Sequence, residues 1–146
     1  MAAGAGKLLM KTNVVTLFVI VAGMVLLAVH YGGLAWTPVR IAGVAIGVPA
    51  LMILIRARVD LGSSFAVRPK ATALVTTGIY SKIRNPIYVF SALVVAGVFL
   101  YMDRPILLWI LAAIIPLQVY RAKQEARVLE ERFGEEYRSY RAQTWF

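Results

Sequence analysis

Gly78-Ile-Tyr-Ser-Lys-Ile-Arg-Asn-Pro-Ile-Tyr88 stands where the chain passes from polar residues into hydrocarbon. Pro86 opens an apolar run, Ile87 to Met102, with Arg84 and Asn85 just outside it. Proline suits the first turn of a helix, where its missing N–H would have had no partner. A helix N-terminus flanked by a cation and an amide donor is suited to an anion. The residues alone also allow a plainer reading: Arg84 as a snorkelling anchor, and Asn85-Pro86 as a cap followed by a first-turn proline.

Outward from this run lie three more apolar segments, Thr12–Val29, Pro38–Ile55 and Pro105–Tyr120. With Ile87–Met102 they predict four membrane spans, about 12–30, 38–55, 87–102 and 105–120. The last two hold 16 residues each, roughly 24 Å at 1.5 Å per residue. That is short for a ~30 Å hydrocarbon core, and snorkelling of Arg84, Arg104 and Arg121 is expected to make up the difference. Tyr101-Met-Asp-Arg-Pro105 reads as a tight turn, so spans three and four form a helical hairpin. The expected fold is all-α and integral to the membrane, in one domain over 1–146, with a loop over 56–86 and a tail over 121–146.

Composition agrees. The chain has 146 residues, 60% of them hydrophobic, and a mean hydropathy of +0.74, too apolar for an ordinary soluble domain. Lys7 and Lys11 followed by an apolar run resemble a signal peptide, but the run is long and lacks a clear cleavage site, so a retained first span is expected. Cysteine is absent and His30 is the single histidine. Disulfides, thiolate nucleophiles and the usual metal-ligand sets are therefore excluded, and no metal is expected. The net charge of +9 flanks apolar spans, which favours an anionic lipid surface over nucleic acid as partner.

The cations also orient the chain. Lys7 and Lys11 precede span one, and no Lys or Arg follows it until Arg40. Arg56, Arg58, Arg68, Lys70, Lys82 and Arg84 lie between spans two and three against Asp60 alone. Arg121, Lys123, Arg127, Arg132, Arg138 and Arg141 follow span four. Both termini and the 56–86 loop are expected on the cytoplasmic side. Arg40 reads as a snorkeller or a lipid headgroup contact.

Residues 121–133 predict an amphipathic helix with Ala122, Ala126, Leu129 and Phe133 on one face. Arg121–Glu125 and Arg127–Glu131 stand at i,i+4, and Gly134 is placed as a C-cap. A short helix, Glu135–Arg141, follows. Tyr137, Tyr140, Trp145 and Phe146 suit a membrane interface.

No soluble-enzyme constellation is present. Five of the seven carboxylates lie between Glu125 and Glu136, so any chemistry on this side draws on the 56–86 loop, the start of span three and the helix after span four. Those pieces carry a resemblance. Leu74-Val-Thr-Thr-Gly-Ile-Tyr-Ser-Lys-Ile-Arg-Asn-Pro-Ile-Tyr88, then Glu125-x3-Leu129-x3-Phe133-Gly-Glu-Glu-Tyr137-x2-Tyr140, resembles the isoprenylcysteine carboxyl methyltransferase and phospholipid methyltransferase superfamily. The resemblance spans roughly residues 60 to 146. It implies an integral-membrane methyltransferase that uses S-adenosylmethionine, releases S-adenosylhomocysteine and lacks a Rossmann domain. By position it implies cofactor contacts at Ala73, Leu74, Val75, Tyr80, Asn85, Pro86, Ile87, Tyr88 and Glu125, and an acceptor contact at Arg121. Arg84 and Tyr88 are candidates for positioning the reactants; no acid or base is assigned. Asn85 stands where the family's commoner word has histidine, and Ala126 where a second glutamate is usual.

The chemistry fits these residue types. Methyl transfer from a sulfonium is an in-line displacement that needs alignment and exclusion of water more than a base. Arg84 and Asn85 suit a carboxylate, Glu125 an ammonium or ribose hydroxyls, and Tyr80 or Tyr88 a sulfonium. The expected acceptor is hydrophobic or lipid-like, an isoprenylcysteine-type carboxylate among the candidates, reached laterally from the bilayer. Two other readings stand beside this one. One is an NADPH-dependent membrane reductase of the sterol-reductase type, which carries a similar Arg-His-Pro-Asn-Tyr word. The other is a non-catalytic protein that binds lipid through its basic loop.

Overall fold

A computed structural model describes residues 18–65 and 74–146. Thr12–Leu17, Lys7, Lys11, Arg68, Lys70 and Ala73 lie outside the described residues. Five α-helices lie among the described residues: α1 Phe18–Tyr31, α2 Pro38–Phe65, α3 Pro86–Tyr101, α4 Leu108–Phe133 and α5 Glu135–Gln143. Single 3-10 turns, Gly78–Ser81 and Pro105–Leu107, precede α3 and α4. Among the described residues there is no strand, only an isolated parallel bridge between Ile83 and Trp145.

Two helix ends differ from the sequence reading. α2 begins at Pro38 as expected but runs past Ile55 to Phe65, so the first part of the predicted 56–86 loop, 56–65, is helical. Arg56, Ala57, Arg58 and Leu61 are good helix formers, and the Arg56 Nε donates to Asp60 Oδ1 one turn on, at 3.2 Å. The arginines mark the end of the apolar stretch, not the end of the helix. Likewise span four and the amphipathic segment are one continuous helix. No Gly or Pro lies between Leu117 and Phe133 to interrupt it. Gly134 ends α4 at φ +53°, a left-handed conformation open to glycine, and its N–H donates to the Glu130 carbonyl at 2.8 Å. Glu130 then pairs with Arg138 (2.9 Å) and Arg141 (3.6 Å) of α5, so the bend between the helices is tied by charge across it.

Main helix packing is between α2 and α3. Ala50, Leu54 and Val94 form the buried centre, flanked by Leu51, Ile87 and Phe90. Further along, the two backbones touch. A Cβ on Gly97 would stand 2.5 Å from Gly47 Cα, and one on Gly43 2.5 Å from the Tyr101 amide nitrogen. Close approach through small residues is how apolar helices gain dispersion contact when lipid offers no hydrophobic drive.

At this end Arg40 does something the sequence did not suggest. It is 2% exposed, with its guanidinium 4.7 Å from the Tyr101 ring centroid and 5.6 Å from that of Trp36. It donates to the carbonyls of Ala35 (3.1 Å) and Tyr31. It is therefore a clamp between the end of α1 and the α2–α3 pair, not a snorkeller; orphan carbonyls at a helix C-terminus attract a cation. Thr37 caps α2 by accepting from the Arg40 N–H and reaches Asp103 with its hydroxyl, both at 3.2 Å.

Pro38–Leu61 and Pro105–Phe133 are long and apolar enough to cross a membrane; Phe18–Tyr31 and Pro86–Tyr101 are shorter apolar helices. Large apolar side chains on α1 and α4 face outward, Trp109 at 74% exposure and Leu26 at 69%. Exposed apolar surface on this scale is expected of a lipid-facing protein.

Candidate functional site

The segment before α3 is fixed from two sides. Gly78 has φ +61°, and a Cβ there would collide with the Asp60 carboxylate. That close approach lets Ile79 N–H donate to Asp60 Oδ2 at 3.3 Å. Ser81 closes the turn by donating to the Gly78 carbonyl at 2.8 Å. On the other side Tyr140 of α5 donates its hydroxyl to the Tyr80 carbonyl at 2.7 Å. Tyr80 is thus held between α2 and α5 and is buried. Leu74 and Val75 lead into the turn as half-buried residues outside any helix or strand.

The chain's last residues form a strap across the same segment. Trp145 N–H donates to the Lys82 carbonyl at 3.1 Å. The Phe146 carbonyl accepts from the N–H groups of both Arg84 (2.9 Å) and Asn85 (3.0 Å). Asn85 makes no side-chain cap to α3, and Pro86 opens the helix fully buried. Phe146 therefore engages the last two N–H groups before α3, those of Arg84 and Asn85. Tyr137 is buried at 2% exposure and Tyr140 bonds internally. These two rings hold α5 in place instead of serving the membrane interface.

In the first turn of α3, the Tyr88 hydroxyl donates to Glu125 Oε1 at 2.7 Å. Sequence reasoning offered Arg121 as an ordinary partner for Glu125; the structure gives it Tyr88, with the Arg121 guanidinium close enough to act on the phenol electrostatically. Ile87 points into the α2–α3 core. Of the expected site residues, Tyr80, Asn85, Pro86 and Tyr88 lie on one continuous stretch, and Glu125 meets Tyr88 from α4. Leu74 and Val75 are half-buried, with no hydrogen bond to this pair.

Burial dominates the electrostatics outside the spans. It pushes the Tyr80 phenol well above its ordinary range, with Tyr140 and Asp60 adding to the shift and Arg58 opposing it. Tyr140 is pushed up to about 12, again chiefly by burial, against the pull of Arg84. Both phenols are neutral hydrogen-bond donors at physiological pH. Three buried side-chain atoms here have no partner among the described residues: Arg58 Nε, Tyr80 Oη and Arg84 Nε. Asp60, Arg58 and Tyr140 were missed as site residues. The signal available for Asp60 was the glycine at 78, whose missing side chain leaves room for it.

A cavity of about 410 Å³ lies elsewhere, among Met24, Leu27, Trp36, Val44, Val98 and Tyr101. It surrounds the glycine contact, about 13 Å along α3 from Tyr88 at 1.5 Å per residue.

A helical chain with this much outward apolar surface and two helices long enough to cross a membrane reads as a membrane-associated protein. The chain matches the phospholipid methyltransferase family model over residues 38–136. It belongs to that family, which is a family of membrane-associated methyltransferases. No curated protein and no solved structure matches it. The matched region contains both halves of the Tyr88–Glu125 pair, along with Asp60 and Gly78.

Proposed function

We propose that this chain transfers a methyl group from S-adenosylmethionine to a hydrophobic or lipid-like acceptor at the membrane surface, at the site around Tyr88 and Glu125. The observation that carries the reading is the 2.7 Å hydrogen bond between those residues, which unites two sequence blocks separated by a helical hairpin, inside a methyltransferase family. The donor group, when bound, supplies an electrophilic methyl on a sulfonium. What the chain supplies is placement. The three unpartnered donors suit the anionic end of the donor, and the Glu125 carboxylate suits its ammonium or its hydroxyls. The outward apolar surface of α3 and α4 gives a lipid-soluble acceptor a lateral approach. No general base is needed when the acceptor is itself an anion. The acceptor we infer is an amphiphile; prenylcysteine carboxylates and phospholipids are the two classes to compare. We further infer four crossings with the termini and the 66–85 segment on the cytoplasmic side, supported by the alternation of Lys and Arg along the chain.

Titration of the purified chain with S-adenosylhomocysteine and with NADPH tests the reading. Micromolar affinity for the first and none for the second is expected. Tyr88→Ala and Glu125→Ala are expected to weaken the nucleoside at least tenfold while the helical content is unchanged. Normal binding by both variants would displace the site; binding of NADPH alone would make the chain a reductase.

A further inference from the structure

Three buried donors without acceptors among the described residues, in one neighbourhood, call for a physical cause. More than nine in ten buried polar groups in proteins have partners, and leaving one orphaned is costly. Arg58 Nε, Tyr80 Oη and Arg84 Nε are such orphans, and Tyr80 is 7% exposed. Hydrogen bonds tie the segments that carry the three to one turn. Tyr80 and Arg84 lie on the short stretch between the Gly78 turn and α3, Asp60 ties that turn to the end of α2 that carries Arg58, and Tyr140 ties it to α5. The Arg58 guanidinium acts on the Tyr80 phenol, and the Arg84 guanidinium on the Tyr140 phenol.

The chemistry of the set is one-sided. Both guanidinium atoms can only donate, and the neutral phenol donates as well. A cation is excluded and an oxyanion is favoured. The nearby carboxylate, Asp60, is committed to the scaffold, with Oδ1 on Arg56 and Oδ2 on the Ile79 N–H. On the stretch between the turn and α3, Phe146 takes the N–H groups of Arg84 and Asn85, so there the side chains are what remains for an anion.

We propose that Arg58, Tyr80 and Arg84 form an oxyanion subsite, distinct from the Tyr88–Glu125 pair, that takes a carboxylate or phosphate group. Arg58 comes from α2 and is new to the site. Two sources carry that chemistry: the amino-acid carboxylate of the methyl donor, which rests on the methyltransferase reading above, and the phosphate of a phospholipid.

The full chain in detergent micelles is titrated with S-adenosylhomocysteine, with 5′-methylthioadenosine (the same thioether nucleoside without the amino-acid tail), and with dihexanoyl phosphatidic acid against dihexanoylglycerol. Arg58→Gln, Arg58→Lys and Tyr80→Phe are compared with the parent. A hydrogen bond to a charged group supports a loss of about tenfold or more on removal. If the anion is the donor's carboxylate, all three variants lose about tenfold for S-adenosylhomocysteine and nothing for methylthioadenosine. If it is a lipid phosphate, they lose affinity for phosphatidic acid alone. Unchanged affinity for every probe means the donors face only water and overturns the subsite. Equal loss for both nucleosides also overturns it, because the residues then shape the nucleoside pocket and not an anion site. Should the parent bind neither nucleoside, the methyltransferase reading fails on its own and the phosphatidic acid arm decides the subsite.

Discussion

Tyr88 and Glu125 are 37 residues apart and share a hydrogen bond of 2.7 Å. A phenol donating to a carboxylate is among the stronger neutral-to-charged contacts. Here it is the side-chain link by which α4 reaches the first turn of α3. If the two side chains act as one unit toward the ligand, their effects on binding are not additive. In a double-mutant cycle with Tyr88→Phe and Glu125→Gln, S-adenosylhomocysteine affinity is expected to fall about fivefold to tenfold in each single variant and no further in the double, a coupling of about 1 kcal/mol. Independent losses that multiply would show that the pair does not function together.

The contact of Gly47 with Gly97 makes the α2–α3 spacing intolerant of side chains. In both directions the atoms a Cβ would meet are backbone: Gly47 Cα at 2.5 Å from a Cβ on Gly97, Gly97 Cα at 3.3 Å from one on Gly47. Backbone cannot swing aside as a long side chain can, so Gly97→Leu must force the helices apart. Overpacking of this kind costs about 1–3 kcal/mol. Gly23, on α1, has nothing within 4 Å of its would-be Cβ, and Gly23→Ala is expected to cost nothing. Unfolding in graded detergent mixtures compares the two; equal behaviour would contradict the packing described.

Helix starts were legible in the sequence because they carry their own chemistry. Pro38 and Pro86 open α2 and α3, and Gly134 closes α4. Tyr88 and Glu125 were legible through the pattern of the blocks that hold them. The far end of α2 was not, since Arg56 and Arg58 signal the loss of apolar character and helices continue through such residues readily. Arg40 was misread for a related reason: position at the edge of a span cannot tell a cation in lipid headgroups from one folded back on carbonyls and rings. The bonds of Phe146 to Arg84 and Asn85 run through backbone alone, and no side-chain pattern announces them.

Burial of Tyr80 and Tyr140 sets a pH dependence of definite sign. Both phenols hold their protons more tightly in the folded chain than the ordinary value near 10. A group with a raised folded pKa contributes stability that is complete below its unfolded pKa and is lost as pH rises through the folded one. Stability is therefore expected to be insensitive to these phenols from pH 7 to about 9. It should decline from pH 10 upward, through about 12 for Tyr140. Tyr140→Phe should flatten that decline in unfolding measured against pH. A slope unchanged in the variant would show that the phenol is not buried as described.

The strap from Trp145 to Phe146 makes the last prediction. Arg84 and Asn85 give both their N–H groups to the Phe146 carbonyl, and Tyr140, a few residues earlier, anchors the same segment through the Tyr80 carbonyl. Asn85 has no side-chain cap of its own, and the strap is what occupies the last two N–H groups before α3. Amide exchange depends on local opening. Truncation after Thr144 is expected to speed exchange at Arg84 and Asn85 by at least tenfold while amides in the middle of α3, such as Val94, keep their rates. Tyr140→Phe removes one neutral hydrogen bond, worth about 1 kcal/mol, and should produce a smaller acceleration at the same two amides. Exchange that is unchanged at Arg84 and Asn85 after truncation would mean that water or another group already holds them. Exchange that rises throughout α3 would make the strap part of the global fold and not a local brace on the site.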